Sequence, residues 1–288
     1  MRILHLSDTH ITAASGPNRD GIDSRASLRR MLHDCAELPG LDAVVVSGDV
    51  ADDGSPEAYA DALDLVGAFA RPRGIPAIFS TGNHDDRKPF TAVLGSGHPD
   101  PHSQFDPATG ERAAVTTVAG YRIITLDSLV PGKAYGEISA PQLEWLRGVL
   151  AEPAPDGSVL VFHHPPIVVP GVAVQRAFGL LDSSGLADAI RGSDVRLLLC
   201  GHFHLQLSGL LAGVPVWVTP GVVNRIDLTA TPGTERAARG ASASLIDLGG
   251  EHSPVCHTLH ARDPHAGQTA HDLDTTQLDA IIAELGPA

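Results

Sequence analysis

Ala43-Val44-Val45-Val46-Ser47-Gly48-Asp49 joins a run of β-branched residues to a small residue, a glycine and a carboxylate. The run reads as a core strand. The glycine lets the chain turn sharply where the strand ends, and Asp49 is left at the carboxyl exit. Four further stretches share this design. Residues 3–6 run into Ser7-Asp8-Thr9-His10, and residues 75–79 run on to Thr81-Gly82-Asn83-His84-Asp85. Residues 159–162 run into His163-His164-Pro165-Pro166, and residues 195–200 into Gly201-His202-Phe203-His204.

Helical patterns alternate with these strands. They cover residues 24–38 with Ser24 as cap, 55–70 with Ser55 as cap and Pro56 in the first turn, 86–94, 140–150 and 183–190. Residues 115–118 and 121–126 flank Ala119-Gly120 as a hairpin. Residues 214–218 are a further strand, and 244–248 and 255–259 pair late in the chain. Strand and helix in alternation predict an α/β fold with a largely parallel sheet and antiparallel additions. Residues 262–274 are polar and read as a linker. Residues 275–285 place Leu278, Ile281, Ile282 and Leu285 at helical spacing, and that helix needs its own core or a partner subunit to dock on.

Composition narrows the field. With 43% hydrophobic and 19% charged residues among 288, the chain can bury a sizeable core. It has no apolar run of about 18 residues to span a membrane, and its first residues turn polar too soon for a signal peptide. Cys35, Cys200 and Cys256 are too few and too scattered for a disulfide framework and fit a reducing cytoplasm. The formal net charge of −14 repels a nucleic-acid polymer. A small anion would bind only where local cations override that field.

The strand exits supply the means. Ligands of open α/β sheets bind beyond the carboxyl ends of the strands, so five such exits gather Asp8, His10, Asp49, Asn83, His163, His202 and His204. Asp8 and His10 are two apart, as are His202 and His204, and in extended backbone such pairs face one side. Imidazoles, an amide and carboxylates together form a mixed N/O metal site. Seven groups exceed the needs of one metal. Two divalent ions with two carboxylates and one hydroxide leave a formal charge of about +1, enough to attract a phosphate.

The motifs Asp8-x-His10, Gly48-Asp49, Gly82-Asn83-His84-Asp85, His163-x-Pro165 and Gly201-His202-x-His204 resemble the calcineurin-like metallophosphoesterase superfamily, and within it the bacterial class III cyclic-nucleotide phosphodiesterases. The resemblance runs in order from residue 4 to about 204, and through Asp127, Gly136-Glu137, Trp145-Leu146 and Pro220-Gly221 to about 248. It implies a four-layer αββα sandwich with two mixed sheets, and a dimetal site at the strand ends. With the polar stretch and the terminal helix, the chain divides into a catalytic domain, residues 1–260, and a C-terminal tail with a short docking helix, residues 261–288.

By the same resemblance Asp8, His10, Asp49 and His204 hold one metal. Asp49 bridges to a second held by Asn83, His163 and His202. The metals are Mn or Fe, with Zn or another divalent ion as alternatives, and no organic cofactor is implied. His84 faces the phosphate and the leaving group. Asp52 and Asp85 are expected to orient a ligand or His84 from behind. Asp53 stands where phosphoprotein phosphatases carry a phosphate-binding Arg, and Asp52 where purple acid phosphatases carry a Tyr ligand, so neither subfamily fits.

The expected reaction is hydrolysis of a small anionic phosphodiester by water activated on the metals. The substrate would be 3′,5′-cAMP or a 2′,3′-cyclic nucleotide, and the assembly a cytoplasmic homodimer. Glycerophosphodiesters, other small diesters or pyrophosphates are the alternative substrates. A non-catalytic scaffold is a distant second class, set aside because His84 and every ligand candidate are present. His5 reads as structural and His164 as a satisfied loop residue. His33, His98, His102, His252, His257, His260, His265 and His271 read as solvated, and Arg225, Arg236 and Arg239 as solubilising charge.

Overall fold

The computed structural model describes residues 1–287. The first half contains β1 (Arg2–Leu6), α1 (Ser24–Asp34), β2 (Ala43–Ser47), α2 (Pro56–Ala70), β3 (Ala77–Ser80), α3 (Arg87–Leu94), β4 (Ser103–Phe105), β5 (Ala113–Val118), β6 (Tyr121–Thr125) and α4 (Ala140–Leu150). Next come β7 (Gly157–Val161), α5 (Ala173–Phe178), α6 (Ser184–Ile190), β8 (Val195–Cys200), β9 (Leu207–Leu211) and β10 (Val214–Val218). The chain ends with β11 (Asn224–Ile226), β12 (Glu235–Arg239), β13 (Ser242–Asp247), β14 (Val255–His260), β15 (Thr269–Leu273) and α7 (Thr275–Leu285).

Two mixed sheets stack face to face. One has the order β14-β13-β1-β2-β3, the other β4-β5-β6-β7-β8-β10-β9. β1, β2 and β3 are parallel, as are β6, β7, β8 and β10. Side-chain alternation explains the layering. Leu4, Leu6, Val44 and Val46 pack outward on α1 and α2, while Ile3, Ala43 and Val45 turn inward to the second sheet. In that sheet Leu160, Phe162 and Leu198 pack on α4 and α6, and Val159, Val161, Leu197 and Leu199 turn inward. Each fully buried aliphatic contributes about 2 kcal/mol, so both faces of these strands must be apolar. The result is the expected αββα sandwich.

Local signals fix the helix starts. Ser55 caps α2 by accepting from the Ala58 N–H at 3.3 Å. α1 departs from the sequence reading: Asp23, not Ser24, is the cap, and it accepts from Ala26 N–H at 2.9 Å. Ser24 lies inside the first turn and is buried. Asp274 and Gln277 form a reciprocal capping box at the start of α7.

The C-terminal stretch is more ordered than its composition suggests. Within the polar stretch read as a linker, β15 pairs with β12, which pairs with β11, in a small antiparallel sheet. Backbone pairing, charged contacts and the packing of Ile226 and buried Ala237 hold this sheet; His271 lies 3.5 Å from both Asp20 and Glu235. Arg239 likewise is no solubilising charge: it donates to the carbonyls of Asp20 and Gly21. α7 docks on its own chain. Leu278 is buried, Thr275 Oγ1 donates to Gly233 O at 2.9 Å, and Ala134 N–H donates to Leu285 O at 3.1 Å.

His98 also departs from the solvated reading. It is buried between Thr116 and Thr125, whose hydroxyls lie 2.8 and 2.9 Å from its two ring nitrogens. Desolvation, helped by the charge of His102, pushes it down to about 3. The unfolded chain takes this proton near pH 6.5 and the folded chain does not. The stability is therefore complete above that pH and is lost progressively as pH falls toward 3. Between pH 7 and pH 5 this residue alone should cost about 2 kcal/mol. In urea titrations at those two pH values His98→Gln should shrink the difference by that amount, and an unchanged difference would refute the assignment.

Candidate metal centre

The exits of β1, β2, the β3 loop, β7 and β8 meet at one edge of the sandwich. Asp8, Asp49 and His163 bring donor atoms within 4.8 Å of one another, as do Asp8, His10 and His204. His163 Nε2 lies 3.2 Å from Asp49 Oδ2 and 3.8 Å from Asp8 Oδ1. His204 Nε2 lies 3.2 Å from Asp8 Oδ1, and His10 Nε2 lies 3.2 Å from His204 Nε2 and 3.6 Å from Asp49 Oδ2. Cis donors around one cation at about 2.1 Å stand about 3 Å apart.

The backbone achieves this in a way the residue spacing hides. Seven non-glycine residues among those described have positive φ, and five of them are Asp8 (57°), His10 (44°), Asp49 (47°), His202 (70°) and His204 (50°). The pairs at i and i+2 are thus not extended, as the sequence reading had them, but left-handed. Each such residue costs on the order of 1 kcal/mol or more, a strain that concentrates at functional sites. Gly48 has φ 97°, and a Cβ there would sit 2.5 Å from His163 Nδ1. A Cβ on Gly82 would run into the Asp49 carboxylate and the His163 ring. The two loops close on the site only because both positions lack a side chain.

Three histidines share one hydrogen-bond plan. His10 Nδ1 faces Asp52 Oδ1 at 2.8 Å, His163 Nδ1 faces Ser47 O at 2.8 Å, and His204 Nδ1 faces Asn224 Oδ1 at 2.6 Å. An oxygen acceptor at Nδ1 places the proton there and leaves the Nε2 lone pair free, the arrangement of a metal-ligating imidazole. All three Nε2 atoms turn toward Asp8 and Asp49. His163 Nε2 and Asn83 Oδ1 are buried with no hydrogen-bond partner, an unfavourable state unless a cation accepts their lone pairs. The donor set therefore fits metal ions. His202 is placed by its own N–H, which donates to the Asp8 carboxylate at 3.1 Å.

Electrostatics point the same way. Burial would raise Asp49, yet with a proton on His163 Nε2 in place of a cation, His163 and His84 hold it well below the usual carboxylate range. Desolvation, followed by the charge of His163, pushes His202 down to about 3, so its ring is neutral. His84 stands at the open side, its ring edge-on to His10 at 4.7 Å. Its N–H donates to Asp49 Oδ1 at 2.9 Å, and its Nδ1 lies 3.1 Å from Asp52 Oδ1. Desolvation opposes protonation of His84, but Asp49 and Asp52 raise it to about 10. A cation on Asp49 would cancel part of that pull and leave Asp52 as the proton's anchor.

Asp85 has a different place. Buried beneath the site, it accepts from the N–H groups of Val50 (3.2 Å), Ala51 (2.9 Å) and Gly82 (2.7 Å). It thereby ties the Asp49 loop to the Asn83 loop. His164 is not a satisfied loop histidine. It is fully buried, its Nδ1 is 2.8 Å from Ser128 Oγ, its Nε2 has no partner, and its ring lies 4.6 Å from that of His202. Asn224, which locks His204, escaped the sequence reading. It lies in a Gly/Thr-rich stretch with no motif of its own, and only the fold brings it to His204.

Mixed N/O donors at the carboxyl ends of two packed α/β sheets define a metal-dependent hydrolase. The chain matches the calcineurin-like phosphoesterase family over residues 1–206 and belongs to it; it is a metallophosphoesterase. It is 41% identical over 241 residues to a probable cyclic nucleotide phosphodiesterase of Rhodococcus erythropolis, covering 83% of this chain and 76% of that one. It is 38% identical over 264 residues to a cAMP/cGMP dual specificity phosphodiesterase of Mycobacterium tuberculosis, covering 86% and 80%. In fold it is similar to a dimetal phosphatase of Danio rerio, with TM-score 0.60 and 16% identity over 91% of this chain and 99% of that one.

Proposed function

We propose that the chain hydrolyses cyclic nucleotides, 3′,5′-cAMP or a 2′,3′-cyclic nucleotide, at a dinuclear metal centre. The names of the two bacterial relatives support the substrate class. The observation that carries the reading is the set of histidines locked at Nδ1, with Nε2 turned onto two buried carboxylates. Asp8, His10, Asp49 and His204 would hold one ion, and Asp49, Asn83, His163 and His202 the other. Mn or Fe is proposed, with Zn or another divalent ion as alternatives. When bound, the pair supplies a nucleophilic water near neutral pH and neutralises charge on the phosphoryl oxygens.

The chain's own groups do the rest. Asp52 accepts from His10 Nδ1 and steadies His84 in one contact set, so one carboxylate orients a ligand and the proton donor together. His84 then gives its proton to the departing ester oxygen. Asp85 keeps the two loops in register through three backbone N–H groups. The substrate is a small anion, because the charge of −14 repels a polymer.

A homodimer in the cytoplasm completes the proposal. The dimer rests on the family resemblance, since α7 docks on its own chain through Leu278, Thr275 and Leu285. No helix among the described residues is long and apolar enough to cross a membrane. The test is a substrate panel of 3′,5′-cAMP, 2′,3′-cAMP, glycerophosphocholine and ADP-ribose. A kcat/KM for one cyclic nucleotide at least about tenfold above the other two classes is expected. Preference for glycerophosphocholine or ADP-ribose would overturn the substrate assignment.

A further inference from the structure

A cavity of about 800 Å³ opens beside His202, His204 and Asn224, within the usual size of small-molecule sites. The side chains of Phe178 and Phe203 line it, and its far wall is Leu273 of β15 with Leu278, Ile281 and Ile282 of α7. That wall lies outside the stretch matched by the family. It is held in place because β15 is paired to β12, Thr275 is bonded to Gly233, Leu285 O accepts from Ala134 N–H, and Lys133 Nζ donates to the carbonyls of Glu284 and Gly286. Leu273, Ile281 and Ile282 are only half-buried, so their apolar surface faces the chamber.

We propose that this chamber is the subsite for the nucleoside of the substrate, and that the C-terminal strand and helix determine which leaving group the enzyme accepts. The inference rests on the phosphodiesterase reading above. Among the described residues no Lys or Arg lines the chamber; its acids are Asp227, 3.8 Å from Arg236 Nη1, Glu235, 3.5 Å from His271 Nε2, and the exposed Asp279. A phosphate is thus kept at the cation end by His202 and His204 and kept out of the chamber. What enters is an uncharged group with a flat apolar face and N–H donors at its edge. A nucleobase has both: its faces suit the aromatic and aliphatic walls, and its exocyclic amine suits a carboxylate acceptor. A leaving group with a second phosphate, as in a pyrophosphate, would find no Lys or Arg there and would be repelled by Asp279.

The experiment uses the metal-loaded enzyme and Ile282→Trp, which fills the chamber from a position away from the metal centre. Calorimetry with adenosine, which has no phosphate, reads the chamber. Inhibition by inorganic phosphate reads the cation end. Adenosine affinity and KM for the cyclic nucleotide should weaken by about tenfold or more in the variant, with phosphate inhibition and thermal midpoint unchanged. No adenosine binding by the parent enzyme, equal binding by both proteins, or binding of choline in place of adenosine would overturn the nucleoside assignment. A parallel loss of phosphate inhibition would also overturn it, because α7 would then act by holding up the metal centre. Absence of cyclic-nucleotide hydrolysis by the parent enzyme would instead sink the activity on which the inference rests, and adenosine calorimetry distinguishes the two failures.

Discussion

Asp49→Asn is expected to lower kcat/KM for a cyclic nucleotide by at least about 1,000-fold, or roughly 4 kcal/mol of transition-state stabilisation. Asp49 is the group common to both halves of the donor set. Its Oδ2 lies 3.2 Å from His163 Nε2 on one side and 3.6 Å from His10 Nε2 on the other, and its Oδ1 accepts from the His84 N–H. Asparagine keeps the shape but removes the charge, and its amide nitrogen offers a cation no lone pair in place of the carboxylate oxygen. No other substitution removes a donor from both proposed ions at once. Steady-state kinetics together with the metal content of the variant check this. A loss below about tenfold with both ions retained would show that Asp49 does not bridge.

The second large effect is expected at His84. His84→Ala should reduce kcat for a cyclic nucleotide by about 10² to 10⁴, the range for loss of a positioned proton donor, with metal content unchanged. His84 turns only its backbone N–H to Asp49 and stands with its ring half-exposed beside His10. The size of the loss should depend on the leaving group. An alkoxide needs the proton, whereas p-nitrophenolate departs without it, so a p-nitrophenyl diester should lose much less. Equal losses on both substrates would point to a role in placing the phosphate rather than in proton transfer.

The alternating strands and helices and the meeting of the donors were legible because both come from a local pattern, whereas the two-sheet sandwich followed only from the family resemblance. A β-branched run buried on two faces, followed at once by Gly and a polar ligand type, is visible in residues 43–49 without any partner. Asp52 and Asp85 were readable only as neighbours of motifs, and their functions differ in ways adjacency cannot convey. Asp52 touches the two histidines from solvent, while Asp85 gathers backbone N–H groups from below. The left-handed angles at Asp8, His10, His202 and His204 were not legible, because spacing of i and i+2 is the same whether the backbone is extended or turned.

Two further features stayed hidden for a different reason. The small sheet of β11, β12 and β15 has no clear alternation along its strands to mark it, and the β12 and β15 partners are more than 20 residues apart. Asn224 and His98 depend on contacts to residues distant in the chain, His204 for one and Thr116 and Thr125 for the other. Composition reads His98 as one more polar surface residue. Only the pairing of two hydroxyls with its ring makes its burial tolerable.

Equilibrium dialysis of the purified protein against Mn²⁺, followed by elemental analysis, tests the dinuclear centre without any substrate. Two ions per chain in the parent protein, falling in Asp49→Asn and in His163→Ala while both variants keep their thermal midpoint in chelator, is the predicted result. A single ion, or two ions held as tightly by those variants as by the parent, would contradict it.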